Sequence, residues 1–309
     1  MFSSALLFPG QGSQHVGMGR RLAAEHRVAR ATFEEADEAL GIRLSRLCFE
    51  GPVDELVQTE NAQPAILATS IAGYRAAAKE IDLRPSWLAG HSLGEYTALV
   101  VGGALGFAEA LRLVRLRGRL MQTAVPEGVG AMAAIIGLAE DAVAAVCARV
   151  AEHEVVEPAN FNGAGQIVVA GHRGAVARAV AAARALGGRA VELPVSAPFH
   201  CRLMAPAAAG LARALAAVEI APLTIPVVAN VDGAPNADAA RVRALLVTQV
   251  TAPVRWAESM ATLAELGCVR AFEIGPGQVL TRLVQRMQLG IEAAAAGEGE
   301  GWAALASVA

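Results

Sequence analysis

The stretch GHSLGEY, Gly90 to Tyr96, sets Ser92 between two glycines at the spacing of a nucleophile elbow. In such an elbow a short strand turns into a helix around a serine held in an unusual backbone conformation, and the missing glycine side chains let strand and helix pass closely. The upstream PSWLAG is apolar enough to be the strand, and LGEYTALVV opens a helix whose first N–H groups would favour negative charge at the serine. The alternative is an ordinary strand-to-helix connection through a glycine-rich loop. A serine attacks only when a base takes its proton, so the histidines decide between the two.

There are six histidines. His91 adjoins Ser92, and neighbours around an elbow point different ways, so it reads as a packing or hydrogen-bonding residue. His26, His153 and His172 stand in polar helical or turn contexts and read as surface residues. His200 closes LPVSAPFH, just after a strand expected to re-enter the main body of the fold, and ranks first as base; His15, in the glycine-rich first loop, ranks second.

Arg117 is an independent clue. At about 100° per residue, Arg112, Arg115 and Arg119 share one helical stripe, while Arg117 points roughly 160° away, among Leu113, Val114, Leu120 and Met121. A cation on an apolar face needs a partner, because burying an isolated charge costs several kcal/mol. That partner is either an internal Asp or Glu, or a carboxylate or phosphate of a ligand gripped by the guanidinium fork. The first loop, FPGQGSQHVGMG, fits neither G-x-G-x-x-G nor a phosphate-binding G-K-[ST] loop. It could instead bring the backbone N–H of Gln11 beside the elbow as half of an oxyanion hole, with the N–H of Leu93 as the other half; the alternative is a structural turn.

These residues must be positioned by a fold, and the chain of 309 residues, 54% hydrophobic, can bury a sizeable core. Its net charge of -3 supplies no basic field for nucleic acid. Cys48, Cys147, Cys201 and Cys268 lack C-x-x-C spacing, so neither a disulfide framework nor a zinc site is expected, and a cytoplasmic setting is. The first residues lack a basic leader pattern, and the longest uncharged stretch, Tyr96 to Ala108, falls short of the ~20 residues needed to cross a bilayer.

Periodicity predicts a strand over Ala5 to Phe8, a helix from Gly19 to Leu40, a helix starting at Pro64, the strand before the elbow, and a helix from Phe107 to Thr123. This alternation predicts an α/β fold with parallel strands. Between Gly128 and Pro194 the order becomes βαββαβ, a ferredoxin-like unit, with its second and third strands joined through Asn162 and Gly163. Strands resume in IPVVANVDG and VRAFEIGPG, and the Ala-, Gly- and Glu-rich tail from Ile291 reads as weakly ordered. The expected division is a discontinuous large domain, residues 1–127 and 195–309, with a small domain, 128–194, inserted; the crevice between them is the default substrate site.

LLFPGQGSQ, GHSLGEY, MQTAVPEGVGAMAAIIGL, NFNGAGQIVVAG, PVSAPFH and EIGPG, in this order, resemble the malonyl-CoA:acyl carrier protein transacylase family, from Ala5 to about Gln288. The resemblance implies an α/β-hydrolase-like large domain with a ferredoxin-like small domain inserted. It implies Ser92 as nucleophile, His200 as base, Gln11 and Leu93 as oxyanion-hole donors, and Arg117 as the site of the malonyl carboxylate. A backbone carbonyl at Gln249, in place of a triad acid, would orient the histidine. Asn160 and Asn162 match positions near the thioester, and Phe199 matches a bulky residue that leaves little room for an α-methyl branch. The resemblance further implies malonyl-CoA as substrate, the phosphopantetheine thiol of an acyl carrier protein as acceptor, in fatty acid or polyketide synthesis, and no metal or redox cofactor; nothing in it requires more than a monomer. Arg112, Arg115 and Arg119 are candidates for a basic patch facing an acidic carrier. Gln278 departs from a frequent family lysine, and the tail after Leu289 does not match the pattern.

Overall fold

The computed structural model describes residues 3–195, 197–298 and 302–305. Ser196 of the PVSAPFH stretch and residues 299–301 and 306–309 of the tail lie outside the described residues. The strands in chain order are β1 (Ser3–Phe8), β2 (Trp87–Gly90), β3 (Gly130–Ile136), β4 (Val156–Gly163) and β5 (Gln166–His172), then β6 (Arg189–Glu192), β7 (Val227–Val228), β8 (Pro235–Asn236), β9 (Cys268–Glu273) and β10 (Glu292–Ala295). They form two sheets. The larger has the order β10-β9-β1-β2-β7-β8, parallel except for the antiparallel edge pair β7/β8; the smaller has the order β4-β5-β3-β6 and is antiparallel throughout.

β1 shows why the large sheet needs helices on both faces. Leu6 and Phe8 enter one core cluster with Leu88, while Ala5 and Leu7 enter another behind the sheet with Ala89 and Trp256. A strand buried on both sides reads as an unbroken apolar run, as SALLF does. β3 follows the same logic: Ala131, Ala133 and Ile135 pack under the helices Glu140–Val150 and Arg173–Ala185, whereas Met132 and Ala134 face the main core. The small sheet with its two helices is ferredoxin-like, and the whole is an α/β-hydrolase-like fold carrying it. β4 is tied to the segment leading into the helix Trp256–Glu265 by a parallel bridge between Asn160 and Val254, with Phe161 N–H donating to the Val254 carbonyl and Val254 N–H to the Ala159 carbonyl, each at 2.9 Å.

Several expected boundaries differ. The helix predicted from Gly19 to Leu40 is two helices, Arg20–Glu25 and Arg27–Leu40, broken where His26 adopts an extended conformation. The helix expected to start at Pro64 starts at Thr59, so the proline lies inside it. The missing Pro64 N–H removes only the bond to the Glu60 carbonyl, close to the helix end, where the loss is tolerated. Asn162 and Gly163 belong to β4, and the turn into β5 is made by Ala164 and Gly165, both at positive φ. The tail read as weakly ordered supplies β10, which pairs in parallel with β9 from Glu292 to Ala295. The Ala-rich composition hides a strand whose pairing comes from the backbone, covering the outer edge of β9.

Candidate active site

The elbow is built from clashes that only glycine avoids. A Cβ on Gly94 would lie 1.9 Å from the Phe8 carbonyl oxygen, and one on Gly90 would lie 2.0 Å from the Gly94 carbonyl. With that approach allowed, β2 turns into the helix Leu93–Val101 at Ser92, whose φ of 52° and ψ of -102° are the strained backbone of an elbow serine. The first loop leans on the same turn, because Gly10 sits against the His91 carbonyl and carries Gln11 to the rim.

Ser92 Oγ lies 2.7 Å from His200 Nε2. His200 Nδ1 lies 2.8 Å from the Gln249 carbonyl oxygen. A carbonyl only accepts, so Nδ1 carries the proton and Nε2 presents its lone pair to the serine. Burial, and then the nearby Arg117 guanidinium, push the His200 pKa from 6.5 down to about 3. The imidazole is therefore neutral, as a base must be, across the neutral pH range.

Arg117 is 2% exposed. It donates to Gln63 Oε1 at 2.8 Å, Gln249 Oε1 at 2.9 Å and Ser92 Oγ at 3.0 Å, with the Tyr96 ring 5.5 Å beneath its guanidinium carbon. These partners are two amides and a hydroxyl. Of the two partner types open from the sequence, an internal carboxylate is not the one in direct contact; the cation faces neutral groups and keeps its capacity for an anion. The nearest internal acid, Glu95, is reached only through Gln249, whose Nε2 donates to Glu95 Oε2 at 2.7 Å.

A cavity of about 560 Å³ is lined by Gln11, His91, Ser92, Leu93, Arg117, Met132, Asn160, Phe199 and His200. Leu93 N–H belongs to the first helical turn, where backbone donors have no intrahelical acceptor. Asn162 stands apart from the cavity: its Oδ1 faces His91 Nε2 at 2.9 Å, holding that ring. Gln249 does not line the cavity either, being 0% exposed, and it acts from behind the site through its carbonyl and its amide. His15, the second candidate base, is half exposed and faces Glu298 at 3.7 Å, away from Ser92. A second cavity, about 910 Å³, shares Gln11, Val57, Leu193, Pro194 and Val195 with the first and is bordered by Arg119 and Arg173. Of the three arginines considered for a basic patch, only Arg119 reaches it; Arg112 and Arg115 donate to the Ala39 and Leu40 carbonyls.

Three residues that the sequence reading passed over complete the site. Gln63 and Glu95 are described above, and Asn230 accepts the Ser92 N–H at 2.6 Å while its amide donates to the Gly90 carbonyl at 2.7 Å. Glu95 carried a signal, a single acid in the apolar helix LGEYTALVV; Gln63 and Asn230 carried none. Among the described residues no cluster of three or more His, Cys, Asp or Glu is arranged to hold a metal ion, and no helix is long and apolar enough to cross a membrane.

The acyl transferase domain family matches residues 5–296, past Leu289 into β10. The malonyl CoA-acyl carrier protein transacylase of Salmonella typhimurium is 49% identical over 288 residues, covering 93% of each chain. An acyl carrier protein S-malonyltransferase from Vibrio cholerae superposes with a TM-score of 0.95 at 46% identity, covering 98% of this chain and 99% of its own. A malonyl-transacylase solved in complex with a type II polyketide synthase acyl carrier protein gives 0.96 at 45% identity, with 99% of both chains covered.

Proposed function

Because the chain belongs to the malonyl-CoA:acyl carrier protein transacylase family and is an acyltransferase, we propose that it moves a malonyl group from malonyl-CoA to the phosphopantetheine thiol of an acyl carrier protein through a malonyl ester on Ser92. The observation that carries this reading is Ser92 Oγ lying at once 2.7 Å from a neutral imidazole and 3.0 Å from a buried guanidinium. His200 Nε2 takes the hydroxyl proton as Oγ attacks the thioester carbonyl. The oxyanion accepts the N–H groups of Gln11 and Leu93. Collapse breaks the C–S bond, and the CoA sulfur leaves with the proton from His200. The malonyl carboxylate displaces Ser92 from Arg117 and pairs with the guanidinium fork. The carrier thiol then gives its proton to His200, attacks the ester, and Ser92 leaves reprotonated, which makes the reaction ping-pong. Asn160 borders the thioester, and Phe199 narrows the cavity against an α-methyl branch. The larger adjoining cavity takes the pantetheine arm, with Arg119, paired with Glu60 at 2.6 Å, and Arg173 at its border. The acyl-enzyme chemistry uses side chains together with backbone N–H and carbonyl groups, and the setting is cytoplasmic.

The test is to mix the protein with malonyl-CoA, quench in acid and weigh the Ser92 peptide, then repeat with carrier protein added. The expected result is one malonyl group on Ser92 that moves to the carrier. Release of free malonate with no transfer would instead mark a thioesterase.

A further inference from the structure

Glu95 is 3% exposed, one turn past Ser92, and its Oε2 alone accepts two hydrogen bonds, from Gln249 Nε2 at 2.7 Å and from Asn230 N–H at 3.0 Å. Each donor belongs to a residue that holds a reacting group. The Gln249 amide has Nε2 fixed by Glu95 and by the Ser92 carbonyl at 3.0 Å, so its Oε1 must face Arg117. A flipped amide would set two donors against each other. The same Gln249 presents its carbonyl to His200, and Asn230 holds the Ser92 N–H. One carboxyl group thus orients the supports of the cation, the base and the nucleophile.

The charge inventory of this buried cluster is short. Arg117 is the cation and Glu95, at the mildly alkaline pH above its titration, the anion facing it through Gln249. His200 and His91 are neutral, their pKa values lowered chiefly by burial, and Tyr96, on the helix of Glu95, is neutral with its pKa raised to about 12, chiefly by burial. Asp232, beyond β7, is tied to Arg241 at 3.0 Å. These charges balance one another when Glu95 is ionised. A malonyl carboxylate on Arg117 leaves two anions against one cation out of water, an arrangement that is unfavourable unless one charge is removed. Glu95 is the group able to remove it, because burial already lifts its pKa from 4.5 to about 7, against the opposing pull of its hydrogen bonds and of Arg117. A proton on Oε1 would leave both bonds to Oε2 intact.

We propose that Glu95 is a positioning residue and the internal counter-charge of Arg117, and that loading Ser92 with an acyl chain ending in a carboxylate draws one proton from solvent onto Glu95. This rests on the malonyl-ester reading above and adds a proton to it: the serine proton still leaves on the CoA sulfur, and the second proton comes from bulk water or buffer.

The test is single-turnover mixing of the intact protein with malonyl-CoA, without carrier, in weakly buffered indicator dye near pH 8. It is run beside acetyl-CoA, which has the same leaving group and no carboxylate, and the Ser92 peptide is weighed to count acylated sites. The wild-type protein is expected to take up close to one proton more per malonylated than per acetylated serine, and Glu95→Gln, which keeps an acceptor at Oε1, to lose that difference while still loading. Malonyl affinity is expected to fall roughly tenfold per pH unit above Glu95's titration in the wild type and to stay flat in Glu95→Gln. Equal proton counts for the two acyl groups in the wild type, which needs no variant, would overturn the proposal, as would an unchanged difference in Glu95→Gln. A serine that gains no malonyl group defeats the reaction itself and this inference with it, and the peptide mass distinguishes that outcome from the first.

Discussion

Arg117 donates to Ser92 Oγ and, in the proposed reaction, turns to the substrate carboxylate. One guanidinium therefore serves two partners in sequence, stabilising the serine oxygen before attack and the acyl chain afterwards. Truncating it removes the one cation that lines the cavity among the described residues and leaves a bound carboxylate unpaired, worth about 2 to 5 kcal/mol, or a factor of tens to thousands. The expected outcome for Arg117→Ala is a fall in kcat/KM of that size for malonyl transfer and a much smaller fall for acetyl transfer, measured by carrier acylation; equal losses would remove its role in selection. His200 supplies a second prediction at this scale. Its pKa, lowered to about 3 by burial and by Arg117, keeps the imidazole neutral well below the usual histidine range. The rate of Ser92 acylation should then hold steady from neutral pH down to about pH 5, where an exposed histidine would already be protonated and inactive as a base. A decline centred near 6.5 in a stopped-flow pH series would show that the imidazole is solvated in the working enzyme.

At the level of elements, the elbow depends on the helix Leu93–Val101 passing β1 at van der Waals limits. A methyl group on Gly94 would sit 1.9 Å from the Phe8 carbonyl oxygen, which is backbone in the middle of the sheet and cannot rotate aside. Gly94→Ala must push the helix away from β1 and carry Leu93 N–H and Ser92 with it. The expected cost is about 1–3 kcal/mol or more of stability, seen in urea denaturation, with acylation lost further than stability, since the proposed oxyanion donor, Leu93 N–H, moves with the helix. A fully active, equally stable variant would refute this account of the turn. The elbow was legible because the G-x-S-x-G spacing is itself the steric requirement. The orientation of Arg117 was legible because a 17-residue helix, Phe107–Thr123, has a fixed rotation per residue. Other elements carry no such signal. Asn230 follows a two-residue strand, too short for any periodicity. Gln63 lies on a helix buried on almost every side from Ala62 to Gly73, so no polar face marks it out. Pro64 reads as a helix start, yet tertiary packing extends the helix back to Thr59: Gly118 of the Arg117 helix lies against Thr59 and Glu60.

Across the whole molecule, the crevice exists because the ferredoxin-like sheet is held through the Asn160–Val254 bridge and Phe161 to the segment that precedes the helix Trp256–Glu265 behind the large sheet, so that Met132 and Asn160 form one wall of the cavity and Ser92, Arg117 and His200 the other. A molecule assembled this way buries ionisable groups, and those set how it responds to pH. Glu95 and His200 oppose one another. Glu95, raised from 4.5 to about 7, binds its proton more readily when folded, so its contribution is present below 4.5 and lost as pH rises through 7. His200, lowered from 6.5 to about 3, contributes stability present above 6.5 and lost as pH falls through 3. Between 4.5 and 6.5 the unfolded chain holds the histidine proton and the folded chain the Glu95 proton, so the two slopes cancel. At high pH nothing cancels. All four cysteines are buried and free, and burial pushes Cys48, Cys147 and Cys201 from 9.0 up to about 12 and Cys268 to about 11. The folded protein keeps these thiol protons after the unfolded chain has released them, so the thiols' contribution is complete below pH 9 and falls as pH rises towards 11, by about 1.4 kcal/mol per pH unit for each thiol. Urea denaturation under reducing conditions should therefore give a midpoint that drops steeply between about pH 9 and about pH 10.5, with alkylation of the four thiols rising in step as the chain opens. A midpoint constant over that interval would mean that water reaches the thiols in the folded state, and the close packing ascribed to both cores would have to be given up.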